Sequence, residues 1–569
     1  MTTAACCALV LASCSKNRLV ISETPANPTP QTESLTEVPK QRDPSISVDF
    51  LDKSIRRPLT YVFIPPRAFR SWFGNKVEAY NPTAEDDVTN SSWFAHRNDR
   101  RRMTPDEVAR GPYRGTGPDT SGSWTVIRAK SQGITPGFTI RDTAGVIYLI
   151  KFDPPGFEEM MTAAEVITSR LMYAAGYNVP EGFVTVFDPA KLRAGASLTF
   201  EDPLGRKQQA DDITLQVMLD PIPRRPDGRV RAMASRILPG GLGPFNYEGT
   251  RSDDPADTIP HEHRRELRGL YVMAAWLNHL DVKQQNSLDI LVEDGDRSFV
   301  KHYLIDFGSS LGSAAIHPNT PRDGAEYDLD LGAISARWFT AGFYTSSWER
   351  YSWKLKYPSI GFYSAELFDP GDWKSSYPNP AFQNRTTRDG YWGAKLVASF
   401  DEQQIRAAVA TGQLSDPRAA QALAKAIMGR RDLTVTYWFL RVTPLEELGI
   451  ESSPEGPTLV FRDLAVAEGV VPARGRRYDM LFEFPAARLK LRDVTELQIS
   501  TSGYGELMLP APAGGPELWE RLLSLPVEKR LAKLELRAIP RDGEPQPRSV
   551  RIYLLLTQEG GYRIVGRAY

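Results

Sequence analysis

The spacing of apolar residues predicts a run of antiparallel strands followed by a helix. Residues 124–130, 138–142 and 146–152 alternate between apolar and polar side chains, and turns that contain glycine separate them. From Glu158 to Ala175 the apolar spacing changes to three and four residues, which predicts a helix that ends at Gly176. Strands followed by helices predict a mixed α+β fold class.

Further strands and helices are predicted down the chain to residue 448. Charged and proline-rich residues at 191–229 indicate an insertion, and Gly and Pro at 239–244 indicate a hinge. The predicted elements are strands at 179–187 and 230–238, a helix at 264–280, a hairpin of 288–292 with 298–305, and helices at 402–410 and 417–427.

The two ends of the chain differ from this middle part. Glycines and prolines separate short strands from residue 457 onward, which predicts a small all-β, sandwich-like domain at 457–569. Residues 15–47 are rich in Pro, Thr and Ser and predict a disordered tether. Residues 48–123 are rich in Pro, Arg and aromatic residues and form an N-terminal extension to which no function is assigned.

The charge balance argues against nucleic acid as a partner. The 569 residues carry 69 Lys and Arg against 70 Asp and Glu, a formal net charge of -1. A nucleic-acid-binding domain usually has a basic excess, so we expect no nucleic-acid partner.

The three cysteines, Cys6, Cys7 and Cys14, all lie within the first fourteen residues. This excludes a disulfide framework, a cysteine-based zinc site and a cysteine nucleophile from the rest of the chain. Residues 1–14 resemble a bacterial lipoprotein signal peptide with a lipobox at Leu-Ala-Ser-Cys, although no Lys or Arg precedes the apolar run. The resemblance implies a lipidated Cys14 that anchors the protein in the bacterial envelope, facing the periplasm. The alternative is a disordered start with chance cysteines.

Two motifs suggest phosphoryl-transfer chemistry. Residues 279–286 fit H-x-D-x-x-x-x-N, and Asp306-Phe307-Gly308 follows on the next predicted strand. Phosphoryl transfer needs one carboxylate that orients the attacking group, and a carboxamide and a second carboxylate that converge on a metal ion.

In this order on these elements, the motifs resemble the protein-kinase-like superfamily, and in particular its atypical bacterial members of the toxin-type, spore-coat and phosphoinositide-kinase-like groups. The resemblance covers residues 124–448, slightly more than half of the chain. It implies a two-lobed domain with an N-lobe at 124–238 and a C-lobe at 239–448, and it implies ATP and Mg²⁺ as cofactors.

The resemblance implies a role for each matching residue. Asp281 would orient or deprotonate the acceptor hydroxyl, and Lys283 would steady the transferred group. The nucleotide would be held by Gly133, Gly137, Lys151 and Glu165, and the metal by Asn286 and Asp306. Glu158 and Glu159 compete with Glu165 as the partner of Lys151, and His279 is expected to structure its loop. Each residue also has an ordinary structural alternative, such as a turn aspartate or a solvated lysine.

Two departures from the family pattern affect the functional prediction. Gly133 and Gly137 form only G-x-x-x-G, which weakens the case for a phosphate cradle. No Ala-Pro-Glu follows Asp306-Phe307-Gly308, which puts recognition of a protein substrate in question.

We therefore predict an envelope-anchored, ATP-dependent phosphotransferase with an unknown protein or small-molecule acceptor. The alternatives are a catalytically silent nucleotide-binding or scaffold lipoprotein with a kinase fold, a nucleotidyl (AMP) transferase, and a structural lipoprotein. The aromatic residues between Trp338 and Tyr363 are expected to pack in and on the C-lobe, with a carbohydrate or lipid-headgroup site as the alternative.

Overall fold

The fold was analysed in a computed structural model. It describes residues 35, 37–43, 46–56, 76–129, 137–201, 206–453, 456–510, 515–542, 544–557 and 561–569. The predicted signal peptide with Cys14, and most of the predicted tether, lie outside this part of the chain.

The described N-terminal residues lie against the C-lobe. They include helices α1 (Ile46–Leu51) and α2 (Pro105–Arg110), with one π-helical turn after α1. The backbone N–H of Arg42 donates to the carbonyl of Leu242 at 2.9 Å, and the Lys40 N–H donates to Asp253 at 2.7 Å. Residues 37–43 therefore run along the segment that joins the lobes, which differs from the disordered tether predicted for this stretch.

The strands of the N-lobe are β1 (Trp124–Ala129), β2 (Gly137–Arg141), β3 (Ile147–Phe152), β4 (Gly182–Phe187), β5 (Leu192–Ala194), β6 (Thr199–Glu201), β7 (Lys207–Gln209) and β8 (Val230–Arg236). Six of them form one sheet with the order β4-β8-β3-β2-β1-β5, and β6 and β7 form a separate hairpin. All neighbouring strands of the six-stranded sheet are antiparallel except β1 and β5, which run parallel.

Helix α3 (Met160–Ala175) connects β3 to β4 and is almost wholly buried, with Tyr173 as its one partly exposed residue. Its apolar side chains face both the N-lobe strands and the C-lobe, which explains why apolar residues surround the helix. The predicted insertion at 191–229 carries β5, the β6-β7 hairpin and helix α4 (Asp212–Leu219). Its strand β5 extends the edge of the N-lobe sheet.

The C-lobe is mainly helical and contains one hairpin, formed by β9 (Ser287–Asp294) and β10 (Arg297–Leu304). Helix α5 (Arg265–Leu277) is buried along its whole length and leads directly into the 279–286 loop. The remaining helices are α6 (Leu331–Phe339), α7 (Pro380–Asn384), α8 (Thr387–Ala398), α9 (Glu402–Ala410) and α10 (Pro417–Phe439).

Two antiparallel sheets form the C-terminal region, with strand orders β11-β12-β15 and β14-β13-β16-β17-β18. They pack through apolar faces, and the rings of Phe461 and Tyr478 lie 6.2 Å apart. The elements are β11 (Leu445–Ser453), β12 (Gly456–Asp463), α11 (Leu464–Ala467), β13 (Arg477–Phe484), β14 (Leu489–Glu496), β15 (Tyr504–Met508), α12 (Gly515–Leu523), β16 (Leu531–Ala538), β17 (Val550–Leu556) and β18 (Tyr562–Ala568). The predicted α+β class, two lobes followed by an all-β region, is confirmed.

The aromatic stretch after residue 330 does not pack as expected. Helix α6 has no buried residue, and Trp338, Phe339 and Phe343 are largely exposed. The expectation of packing holds better for the end of the stretch, where the Tyr363 hydroxyl donates to the Trp276 carbonyl. In the described part of the chain, no helix is both long and apolar enough to cross a lipid bilayer.

Candidate active site between the lobes

Lys151 lies in the middle of the N-lobe sheet and points toward the C-lobe. Strand β3 pairs on both sides, which places Lys151 opposite Gly137 on β2 and Met233 on β8. Its side chain is only 4% exposed, and its Nζ lies 2.7 Å from Oδ1 of Asp306 and 3.5 Å from Oε2 of Glu165. Residues 155 positions apart in the sequence therefore meet across the cleft.

Three glutamates, Glu158, Glu159 and Glu165, are candidate partners of Lys151, and their positions differ. Glu165 faces Lys151 from the second turn of α3, whereas Glu159 lies at the start of that helix and accepts hydrogen bonds from Ser415. Glu158 accepts from the backbone of Gly156. Of the three candidates, Glu165 is the one that pairs with Lys151.

Charge compensation keeps Lys151 protonated inside the protein. Burial disfavours its charge, but the carboxylates of Asp306 and Glu165 outweigh burial and raise the pKa of Lys151 above its ordinary value. Burial raises the pKa of Glu165, and the nearby Asp306 carboxylate adds to this shift. Two carboxyl groups thus share one ammonium group inside the cleft.

The 279–286 loop begins where helix α5 ends at Asn278, which has a left-handed backbone conformation (φ 48°). Within the loop, Nδ2 of Asn286 donates to the Asp281 backbone carbonyl at 2.8 Å and to its Oδ2 at 2.9 Å. Nζ of Lys283 lies 2.7 Å from the other carboxylate oxygen of Asp281. The three predicted residues therefore form one cluster, in which Asp281 is held on both oxygens and stays partly exposed.

His279 supports the loop from beneath. Its Nδ1 lies 3.3 Å from the carbonyl of Ser309, and its ring lies 5.3 Å from that of Phe307. Burial lowers the pKa of His279, which favours the neutral form of the ring. These contacts connect the loop to the Asp306-Phe307-Gly308 segment, as expected for a residue that structures the loop.

Asp306 follows strand β10 with a positive φ of 63°, a conformation that few side chains adopt without support. Phe307 is buried next to it, and the Phe307 backbone N–H donates to Glu165. At Gly308, an added Cβ would lie 3.0 Å from Met161 and 3.3 Å from the Glu165 carboxylate. The glycine thus allows the segment to lie close to α3, and this contact directs Asp306 into the cleft.

The donor set fits a magnesium ion. The side-chain hydrogen bonds from Asn286 to Asp281 use its nitrogen, so its amide oxygen can act as a ligand. The Asp306 carboxylate, which also contacts Lys151, would be the second protein ligand. Magnesium is typically bound by one or two protein oxygens, waters and substrate phosphates. Among the described residues, no group of three or more His, Cys, Asp or Glu side chains could hold a metal on its own.

The structure says little about the two glycines, Gly133 and Gly137, that were predicted to hold the nucleotide. Gly137 is the first residue of strand β2 and pairs with Lys151 on β3. Gly133 lies outside the described residues. The phosphate-cradling role of both glycines stays a prediction.

A buried network that we did not predict from the sequence fixes helix α3 to the sheet. Asp153, two residues after Lys151, accepts hydrogen bonds from the backbone N–H of Thr162 at 2.9 Å and from its hydroxyl at 2.8 Å. Arg231 on β8 donates to the Thr162 hydroxyl at 2.8 Å and lies 3.6 Å from Asp153. The sequence did contain a signal for this network. Asp153 directly follows a buried strand, and a buried carboxylate needs hydrogen-bond or ionic partners.

No protein-family model matches the chain, and no curated protein matches it. Two solved structures similar to it are of the Golgi casein kinase, one of them with Mn/ADP bound. They are 11% and 10% identical, cover 70% of this chain and 91% and 92% of theirs, and each has a TM-score of 0.28. At this low identity and TM-score, the similarity gives no evidence of function.

Proposed function

We propose that this protein is an ATP- and Mg²⁺-dependent phosphotransferase of the kinase-like type. The observation that carries the proposal is the 2.7 Å contact between Lys151 on the N-lobe sheet and Asp306 on the C-lobe. A buried lysine placed between two carboxylates at a cleft supplies a cation for phosphate, and Asp306 supplies an anion for the metal.

The chain's own residues divide the work between the two lobes. Lys151, oriented by Glu165, binds phosphate oxygens from above. Asp306 and the amide oxygen of Asn286 hold the metal ion, which when bound neutralises charge on the phosphates.

The 279–286 loop would position the acceptor. Asp281 would accept a hydrogen bond from the acceptor hydroxyl and take its proton, while the hydroxyl oxygen bonds to the γ-phosphorus and the bond to ADP breaks. Lys283 beside it would offset negative charge on the group being transferred. The side chains of Asp281 and Lys283 are 25% and 21% exposed, so an acceptor can reach them from solvent.

The proposal also covers where the protein is located and which molecule accepts the phosphoryl group. Anchoring through a lipidated Cys14, facing the periplasm, rests on the sequence alone, because residues 1–34 lie outside the described part of the chain. The acceptor is a hydroxyl-bearing protein or small molecule.

Thermal unfolding with and without ATP and Mg²⁺ tests nucleotide binding. At a ligand concentration about 100-fold above Kd, binding stabilises the native state by about 2.7 kcal/mol. We expect a clear rise in Tm for the wild type and little or none for Asp306→Asn, each compared with its own nucleotide-free sample.

The matched control is Asp294→Asn, which removes an exposed carboxylate at the end of β9 and should keep the wild-type response. No rise in Tm for the wild type would refute nucleotide binding. A rise without transfer of phosphate from ATP to any acceptor would favour the silent nucleotide-binding module, and transfer of AMP would favour the nucleotidyl transferase.

A further inference from the structure

Helix α6 and the turn after it carry an exposed apolar surface, which we call the aromatic ridge and define as Ile334, Trp338, Phe339 and Phe343. Their exposed fractions are 48%, 79%, 81% and 90%. Ile334 and Trp338 are four residues apart and share one helix face, and the rings of Trp338 and Phe339 lie 5.6 Å apart. A contiguous exposed apolar surface of this kind indicates an interaction site.

The ridge is held in place from its inner side. Glu326 is buried and accepts hydrogen bonds from Arg337 at 2.8 Å, from Ser346 at 2.6 Å and from Trp348 at 3.0 Å. These hydrogen bonds outweigh burial and lower the pKa of Glu326 to about 2. Because Arg337 lies inside helix α6 and is fixed to Glu326, the exposed aromatic side chains belong to an anchored helix.

The charge around the ridge identifies the kind of surface that it fits. Residues 331–356 contain four basic side chains and one acidic side chain. Arg337 contacts both this acidic residue, Glu349, at 2.5 Å and Glu326 at 2.8 Å, so it adds no net positive charge. Asp330, directly before the helix, pairs with Lys374 at 2.6 Å. Lys354 and Lys356 are exposed, so the stretch presents aromatic side chains together with positive charge. Of the acidic residues that follow it, Glu366 accepts a hydrogen bond from the Tyr351 hydroxyl.

We propose that the aromatic ridge docks on the surface of an anionic lipid bilayer. Tryptophan and other aromatic side chains favour the membrane–water interface, and an amphipathic helix with aromatic residues on one side and basic residues beside it binds in the plane of that interface. Lysines near the surface add attraction to anionic headgroups. A protein partner would have to offer both an apolar surface and negative charge, whereas an anionic bilayer presents the two together.

The segment before helix α6, which carries the ridge, is connected to the candidate active site. The Ser376 N–H donates to the Leu280 carbonyl at 2.9 Å, and the Asp328 N–H donates to the Ser376 carbonyl at 2.7 Å. Asp328 lies two residues before Asp330, the N-cap of α6. Two backbone hydrogen bonds thus link the segment before helix α6 to the 279–286 loop, so the ridge and the loop belong to one connected part of the C-lobe.

Vesicle sedimentation tests the proposal, using the full chain with Cys14→Ser so that an attached lipid cannot account for binding. The probes are vesicles of phosphatidylcholine alone and of phosphatidylcholine with phosphatidylglycerol, without nucleotide. We expect binding to the anionic vesicles that weakens at high salt. The triple variant Trp338→Ser/Phe339→Ser/Phe343→Ser should lose about tenfold or more in partitioning, and Lys354→Gln/Lys356→Gln should lose roughly fivefold for each lysine.

The matched control is Ile213→Ser/Val217→Ser, which removes two apolar side chains, 75% and 62% exposed, from helix α4. This variant should bind as the wild type does. It carries the same Cys14→Ser N-terminus as the ridge variant, so the two differ only in which exposed apolar side chains are removed.

Three results would overturn the proposal. These are equal binding to neutral vesicles, unchanged binding by the ridge variant, and a dimer in solution that the ridge variant converts to a monomer. The last would make a second copy of the chain the occupant. Because no nucleotide is present, these outcomes are independent of the phosphotransferase proposal.

Discussion

At the scale of single residues, Lys151 sets the charge of the cleft. Its ammonium group faces Asp306 and Glu165, and both of these carboxylates would otherwise repel the phosphates of a nucleotide. Breaking a buried ion pair by removing one partner is costly, because it leaves the other charge uncompensated. The contact between Lys151 and Glu165 should therefore be measurable as a coupling energy even without ligand.

A double-mutant cycle of Lys151→Met and Glu165→Gln tests this contact. Each replacement keeps much of the side-chain shape and removes one charge. We expect a coupling energy of about 1–3 kcal/mol in the free energy of urea unfolding at pH 7. A coupling below about 0.5 kcal/mol, the usual limit of additivity for independent sites, would show that the two groups do not interact in the folded protein.

At the scale of elements, local patterns were sufficient where the spacing of apolar residues follows the period of a strand or a helix. The alternation at 146–152 predicted strand β3 (Ile147–Phe152), and the three- and four-residue spacing predicted helix α3 (Met160–Ala175). The meeting of Lys151 with Asp306 followed from the family resemblance, since no local pattern encodes a contact over that separation. Strand β11 was missed because its Glu and Gly residues interrupt the alternation, and it begins at Leu445, before the predicted start at 457.

The contact of residues 37–43 with the hinge is another element that local patterns do not show. Polar residues with proline are typical of disordered chain, yet Arg251, fully buried, donates to the Lys40 carbonyl at 2.6 Å and pairs with Asp289 at 2.7 Å. Gly243 allows this docking, because an added Cβ there would overlap the backbone of Arg42.

Gly243→Ala should release this segment. Gly145 is a close control, because it has the same φ of 83° but no atom within 4 Å of an added Cβ. Both variants incur left-handed strain of about 1–2 kcal/mol, and Gly243→Ala in addition displaces Arg42. We expect faster trypsin cleavage after Lys40 and Arg42 in Gly243→Ala, measured by mass spectrometry of the new N-termini. Equal cleavage rates in the two variants would show that the close approach at Gly243 does not hold the segment.

At the scale of the whole molecule, the candidate site depends on how the two lobes face each other. Helix α3 contacts both lobes, and the N-terminal segment crosses the hinge, so several elements fix the spacing of the cleft. Composition and motif order predicted two lobes and an all-β region. They did not predict the exposed aromatic ridge, because the same aromatic residues are equally compatible with a buried core.

The central claim is that Lys151, Asn286 and Asp306 surround a triphosphate and its divalent ion. The most direct test is a crystal structure of the protein with a non-hydrolysable ATP analogue and Mn²⁺, whose anomalous signal locates the metal. We predict a peak about 2.0–2.3 Å from oxygens of Asp306 and Asn286, with Lys151 on the phosphates. A metal peak elsewhere, or a nucleotide that does not contact Lys151 and Asp306, would contradict the proposed phosphotransferase site.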